Sequence, residues 1–106
     1  MTLAEMKTLL ESTQGFQGKV AYRAFPIGQA PALPFICFYS PGNNNFSADD
    51  LVFFSCKRII IELYTEEKDE TTEAALEATL SDLYWTKDEE YIDDEKMYMI
   101  TYEMEV

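Results

Sequence analysis

The segment KRIIIELYT, residues 57–65, constrains the fold of this chain more than any other stretch. Its β-branched and aromatic side chains are typical of a β-strand, and charged residues bound it. Because successive side chains of a strand point to opposite sides, one side of the pleat carries only apolar residues, namely Ile59, Ile61 and Leu63. That side is predicted to face the core. The other side, with Ile60 and Tyr64 beside Arg58 and Glu62, is predicted to be partly wet or partly covered by another subunit.

The charge of the chain is strongly asymmetric. The net charge is −12 with no histidine, and residues 62–106 hold sixteen of the twenty acidic residues but three of the eight basic ones. An acidic chain of this kind is not expected to bind nucleic-acid backbones or anionic membranes, since both attract lysine and arginine. The acidic half is predicted either to keep the protein soluble, or to form a face that repels negative partners or binds positive ones.

Hydrophobic periodicity predicts a single α+β domain over residues 1–106, with an antiparallel or mixed sheet of about five strands and two helices packed on one face. Helices are predicted over residues 2–13, with a Thr2–Glu5 capping box, and over residues 69–85, with Asp69 or Thr71 as the cap. The second helix is expected to bury the stripe Ala75, Leu76, Thr79, Leu80, Leu83 and Tyr84. Strands are predicted over residues 19–25, 35–40, 51–65, 88–92 and 97–105.

The strands at residues 35–40 and 51–65 are predicted to form an antiparallel hairpin with a long tip near residues 41–50. Pro41 to Asn45 and Ala48 to Asp50 have the composition of turns. The second strand exceeds the usual length of about 5–6 residues. A bulge, or an extension beyond the body of the domain, is therefore predicted near residues 55–57.

The sequence predicts no catalytic residue, no cofactor and no metal site. Without histidine there is no histidine-based catalysis, and no glycine-rich phosphate loop occurs. Cys37 and Cys56 lack CxxC spacing and are predicted to be free thiols, with a disulfide between neighbouring strands open as the alternative. The carboxylate pairs fall in turn-like segments, where solvated charge is the expected explanation. No signal peptide and no membrane-spanning segment are predicted.

The stretch VAYRAFPIGQAPALPFICF, residues 20–38, is followed by an asparagine-rich turn, a strand ending in IELYT and an acidic second helix. In these features the chain resembles small proteins encoded among the head–tail joining and tail genes of siphophages and related prophages of Gram-positive bacteria. They are tail terminator, or tail completion, proteins. The resemblance spans nearly the whole chain, and the YRAFPIGQAPALPF segment is its most specific part.

The resemblance implies a structural subunit without catalysis or cofactor. Such subunits form an oligomeric ring, commonly hexameric, on the head-proximal end of the tail tube, where the ring stops tube polymerisation and meets the neck. The implied partners are other copies of the chain, the tail tube protein and a neck or head completion protein. DNA is implied only as passing cargo, which an acidic channel wall would repel, and no membrane is involved. The implied location is the tail–head junction of the virion, with the host cytoplasm during assembly.

A subunit interface is predicted on the mixed side of the long strand and near the hairpin tip, at Phe46, Phe53, Phe54, Ile60 and Tyr64. The competing interpretations are that a loop covers the mixed side and that the phenylalanines form a small cluster under the tip. Three other functions stay open at this point. The chain could be a small acidic DNA mimic that inhibits a host DNA-binding protein, another neck component such as a head completion protein, or an enzyme with perturbed carboxylates in a pocket.

Overall fold

The computed structural model contains two helices and a five-stranded mixed sheet, which confirms the predicted α+β fold. It describes residues 1–48 and 51–106, and of residues 44–48 and 51–55 only the backbone is described. The elements in chain order are α1 (Leu3–Glu11), β1 (Val20–Tyr22), β2 (Phe35–Tyr39), β3 (Asn43–Ala48), β4 (Leu51–Thr65), α2 (Glu70–Thr79), β5 (Trp85–Ile92) and β6 (Met97–Glu105).

The sheet has the strand order β1-β2-β4-β6-β5. β1 and β2 pair in parallel, and the pairs β2–β4, β4–β6 and β5–β6 are antiparallel. Strand β4 has two halves with different partners, because its first half pairs with β3 and its second half lies between β2 and β6. β4 thus belongs to the sheet and also extends beyond it.

The core lies between the two helices and one side of the sheet. This is the side that the alternation of residues in β4 predicts to face the core. Ile59, Ile61 and Leu63 have no exposed surface there. They belong to one cluster with residues of α1, α2 and β6, among them Met6, Leu10, Leu76, Leu80, Ile100 and Tyr102. Both α1 and α2 pack on this core side, and we call the opposite side of the sheet the outward face.

Helix α1 begins with the predicted capping box. The Glu5 backbone N–H donates to Thr2 Oγ1 at 3.0 Å, and the Thr2 backbone N–H donates to Glu5 Oε1 at 2.8 Å. These bonds hold the pKa of the Glu5 carboxyl below its usual range. Asp69, and not Thr71, caps α2, because its Oδ1 accepts from the Thr72 N–H at 3.0 Å.

Replacing Thr2 with Ala is expected to lower the free energy of unfolding by about 1 kcal/mol, because the hydroxyl that accepts the Glu5 N–H is lost. Urea denaturation followed by circular dichroism measures this. Thr8→Ala is the matched control, since the Thr8 hydroxyl donates only to the Ala4 carbonyl within the helix. Equal losses in the two variants would contradict a capping contribution.

Three predicted boundaries differ from the structure. β1 ends at Tyr22 and not near residue 25, because Arg23 adopts a left-handed backbone conformation with φ 69° that breaks the pairing with β2. α2 ends at Thr79, well before residue 85. The chain then turns and starts β5 at Trp85, earlier than the predicted residue 88, because Trp85 packs edge-on against Tyr102 and pairs with Met104. Tyr84, predicted to be buried, is 87% exposed.

The predicted turn at residues 41–45 is replaced in part by a strand. Pro41 and Gly42 separate β2 from β3, but the asparagines that follow are paired with β4, Asn43 with Lys57 and Asn44 with Cys56. Pairing with a long apolar strand thus overrides the turn preference of asparagine. The second predicted turn, at Ala48 to Asp50, falls on residues 49 and 50, which lie outside the described residues.

Candidate functional surfaces

The two-stranded extension formed by β3 and the first half of β4, residues 51–57, is the arm of the molecule. The molecule as a whole measures 50 × 28 × 26 Å. The base of the arm is fixed to the sheet, because the Arg58 N–H donates to the Gly42 carbonyl at 3.0 Å and Lys57 exchanges two backbone hydrogen bonds with Val106. The change of partner at residues 57–58 is the predicted extension, and the bulge lies elsewhere, at the register shift between Phe46 and Ser47.

Three of the five predicted interface residues lie on the arm. Phe46 and Phe54 are directly opposite each other in the strand register, and Phe53 lies at the register shift. Their side chains lie outside the described part of the structure. The other two, Ile60 and Tyr64, lie together on the outward face of β4, where Ile60 is only 7% exposed and Tyr64 is half-buried. The fold therefore separates the predicted set into an arm group and a sheet group.

The outward face of the sheet has a covered half and an open half. Over β2, the connection at residues 23–34 provides cover: the Phe25 ring packs on Phe35 at 5.3 Å between centroids, and the Arg23 guanidinium lies 4.7 Å from the centre of the Tyr39 ring. The predicted loop cover is therefore present over this half. Over β6 and β5, the face carries exposed carboxylates, including Asp88, Glu90 and Glu103.

An open groove of about 550 Å³ lies on the outward face at the base of the arm. Its walls include Cys56 and Arg58 of β4, Tyr84 just before β5, Thr86 of β5 and Glu103 of β6. Arg58 donates to Glu103 at 3.0 Å across the groove. The exposed ring of Tyr84 and the thiol of Cys56 give this groove an apolar part next to an acidic one.

Both thiols are free. Cys37 pairs with Glu62, which lies six residues along β4 from Cys56, so the two Cα atoms are separated by roughly 20 Å. A disulfide between them is excluded by that distance. Burial, together with the neighbouring Glu62 carboxylate, raises the pKa of Cys37 to about 11, so this thiol is unreactive at neutral pH.

A buried carboxylate lies between α2 and the sheet, on the side that faces the helices. Only 3% of the Glu73 side chain is exposed, and it binds two ammonium groups: Lys68 Nζ at 2.7 Å and Lys87 Nζ at 2.9 Å. Lys87 also binds Glu77 at 2.7 Å, and Glu77 accepts a 2.7 Å hydrogen bond from the Tyr102 hydroxyl. We call Glu73, Glu77, Lys68 and Lys87 the buried carboxylate cluster.

The pKa shifts in this cluster follow from burial and pairing. Burial alone would raise the pKa of Glu73, but the hydrogen bonds from Lys68 and Lys87 outweigh it and hold this pKa below its ordinary value of 4.5. The carboxylates in turn raise the pKa of both lysines above 10.5. Burial, and then the bond to Glu77, raise the pKa of the Tyr102 hydroxyl. Burial and pairing therefore keep Glu73 and the two lysines charged and Tyr102 neutral near pH 7, which indicates a structural ion-pair cluster.

Sequence reasoning missed this cluster, although a signal for it exists. Glu73 precedes Leu76 and Leu80 by three and seven positions, so it lies on the buried stripe of α2. A buried carboxylate needs a cation, and residues 62–106 offer only Lys68, Lys87 and Lys96. Two of these three are the partners observed.

Within residues 1–48 and 51–106, no group of histidine, cysteine, aspartate and glutamate side chains could hold a metal ion. In the same part of the chain, no helix is long and apolar enough to cross a membrane. Comparison with known proteins adds no family, because no protein-family model matches the chain and no curated protein matches it significantly.

Proposed function

We propose that this chain is a structural subunit of a phage tail, a tail terminator or head–tail joining protein that caps the tail tube as an oligomeric ring. The observation that carries the proposal is the arm. A two-stranded hairpin is only marginally stable alone in water. An arm that leaves the sheet, with Phe46 and Phe54 opposite each other in the strand register, gains stability when it packs on a neighbouring subunit.

The remaining features agree with a building block. The buried carboxylate cluster contains the charged groups with the strongest mutual contacts. These groups join α2 to β5 and thereby stabilise the fold. The partners in this proposal are other copies of the chain, the tail tube protein and a neck or head completion protein. DNA passes as cargo, and the proposed location is the tail–head junction of the virion.

The test uses the tail tube protein encoded with this chain, assembled into tubes in vitro with and without the purified protein. Negative-stain microscopy measures tube length and end structure. We expect wild-type protein to stop elongation and to form rings at tube ends. Tubes that lengthen equally with and without it would refute the proposal.

The arm is tested with a matched pair of double variants. Phe46→Ser with Phe54→Ser removes the aromatic pair of the arm, and we expect at least a tenfold loss of tube-capping activity with an unchanged circular dichroism spectrum. The control is Tyr91→Ser with Tyr98→Ser, which removes a cross-strand aromatic pair of the β5–β6 ribbon, with 4.9 Å between ring centroids. If the arm variant and the control variant both cap tubes as well as the wild type does, the arm is not the interface.

A further inference from the structure

Strand β5 is a sheet edge with an unusual combination of length and charge. Its eight residues pair with β6, and no strand in the described part of the chain pairs with its other side, whereas the opposite edge of the sheet is the three-residue β1. Long exposed edges are uncommon because they invite pairing with other strands. From Thr86 to Tyr91 every residue of β5 is exposed. The backbone of this edge is therefore available to an extended segment of another chain.

Some carboxylates of β5 form an ion pair with a lysine, and others do not. On the side that faces the helices, Glu89 binds Lys68 at 2.6 Å. On the outward face, Asp88 and Glu90 make no ion pair with any residue in the described ranges 1–48 and 51–106, and the nearest strand adds Glu103, whose partner is Arg58. The outward side of this edge thus carries uncompensated negative charge.

This charge decides which strands can pair with the edge. A second copy of β5 would place aspartates and glutamates beside each other, and like charges on neighbouring strands are destabilising. The same carboxylates attract a strand with lysine or arginine at alternate positions. The edge therefore selects against self-pairing and favours a basic partner.

The groove at the base of the arm can add an apolar contact to the electrostatic attraction of the carboxylates. It opens at the start of β5, where Tyr84, the residue before the strand, is 87% exposed and Thr86 lies on the wall. An exposed tyrosine at a groove is a typical anchor of a protein interface.

We propose that the outward side of β5 and the adjoining groove bind an extended, lysine- or arginine-rich segment of a different protein, which adds to the sheet at the β5 edge. Basic side chains of that segment lie over Asp88 and Glu90, and an apolar side chain enters the groove beside Tyr84. This mode is strand addition, with specificity set by alternate side chains. It is independent of the arm and of tube capping.

The probe is a synthetic twelve-residue peptide in which lysine and valine alternate, and its twin carries glutamate in place of lysine. Amide chemical shifts of the ¹⁵N-labelled full chain map the binding. We expect the lysine peptide to shift resonances of residues 84–90 and 103, and the glutamate peptide to shift none. Equal shifts throughout the acidic segments 66–70 and 93–95 would show general electrostatic attraction and overturn the proposal.

Matched variants distinguish binding at this site from attraction by the total charge of the protein. Asp88→Asn with Glu90→Gln is expected to weaken peptide binding about tenfold. Asp93→Asn with Glu95→Gln makes the same change of net charge in the β5–β6 turn and is expected to weaken it less than threefold. Tyr84→Ala is expected to weaken binding without changing its salt dependence. Equal losses in the two double variants, or a dimer formed through β5 in sedimentation experiments, would overturn the assignment.

Discussion

Replacing Lys87 with Met is expected to lower the free energy of unfolding by about 2–3 kcal/mol at pH 7. Lys87 is the cation shared by Glu73 and Glu77, and methionine keeps much of the aliphatic stem but not the charge. Glu73, 3% exposed, is then left with Lys68 alone, and a buried carboxylate without sufficient pairing is costly. This loss is smaller than the roughly 3–5 kcal/mol known for breaking a fully buried pair, because 34% of the Lys87 side chain reaches solvent.

The dependence on pH gives this prediction a sign. In the wild type the pKa of Glu73 is lowered, so its contribution to stability is complete above pH 4.5 and is lost as the pH falls through the folded-state pKa. The pKa of Lys87 is raised, so its contribution is complete below pH 10.5 and is lost as the pH rises through the folded-state pKa. The cluster is therefore most stabilising between these limits.

In the Lys87→Met variant, burial is opposed by one ammonium group instead of two, so the pKa of Glu73 rises. Protonation of Glu73 then relieves the buried charge, and the destabilisation should shrink by about half between pH 7 and pH 4.5. Urea denaturation at a series of pH values measures this change. Lys7→Met on the exposed surface of α1 removes the same charge and is expected to cost less than about 0.5 kcal/mol at every pH.

A second substitution separates the contribution of charge pairing to stability from the contribution of side-chain packing. Adding Glu73→Leu to Lys87→Met removes the buried carboxylate that has kept only Lys68 as its partner, and we expect the double variant to regain at least about 1 kcal/mol over the single one. If Lys87→Met is no worse than Lys7→Met, or if Glu73→Leu makes it less stable, the cluster does not stabilise α2 against the sheet.

The sequence predicted most of the framework because the strongest local signals agree with the packing. The apolar alternation of residues 57–65 placed the core face correctly, and Thr2 with Glu5 marked the start of α1. These signals depend on near neighbours, so they can be read without knowing which strands pair.

The differences arise where distant residues decide the local structure. Strand β3 forms from an asparagine-rich segment because β4 offers it a partner, and α2 stops early because Trp85 gains a place against Tyr102 on the sheet. The groove brings together Cys56, Tyr84 and Glu103, three residues far apart in sequence that only the sheet order makes neighbours. The sequence therefore predicted that the candidate surfaces are acidic and aromatic. It could not predict which residues form each surface.

Replacing Ile61 with Ala is expected to lower the free energy of unfolding by about 4 kcal/mol, the upper part of the range for a fully buried aliphatic side chain. Ile61 has no exposed surface and lies between Phe38 and Tyr102 in the strand register, under the helices. Neighbouring groups on all sides are held by other buried contacts, so the cavity cannot collapse and solvent cannot fill it.

Ile60→Ala is the matched control, with the same residue type one position away on the same strand. Ile60 lies on the outward face between Tyr39 and Glu103, is 7% exposed and has no helix above it. The side chains of its neighbours can move into the vacated space, so we expect a loss of only about 2 kcal/mol. Guanidinium denaturation of the two variants at one pH, with the slope against denaturant compared to that of the wild type, measures the difference. Equal losses would mean that the outward face is packed as tightly as the core, and the division of β4 into a core side and an open side would then be wrong.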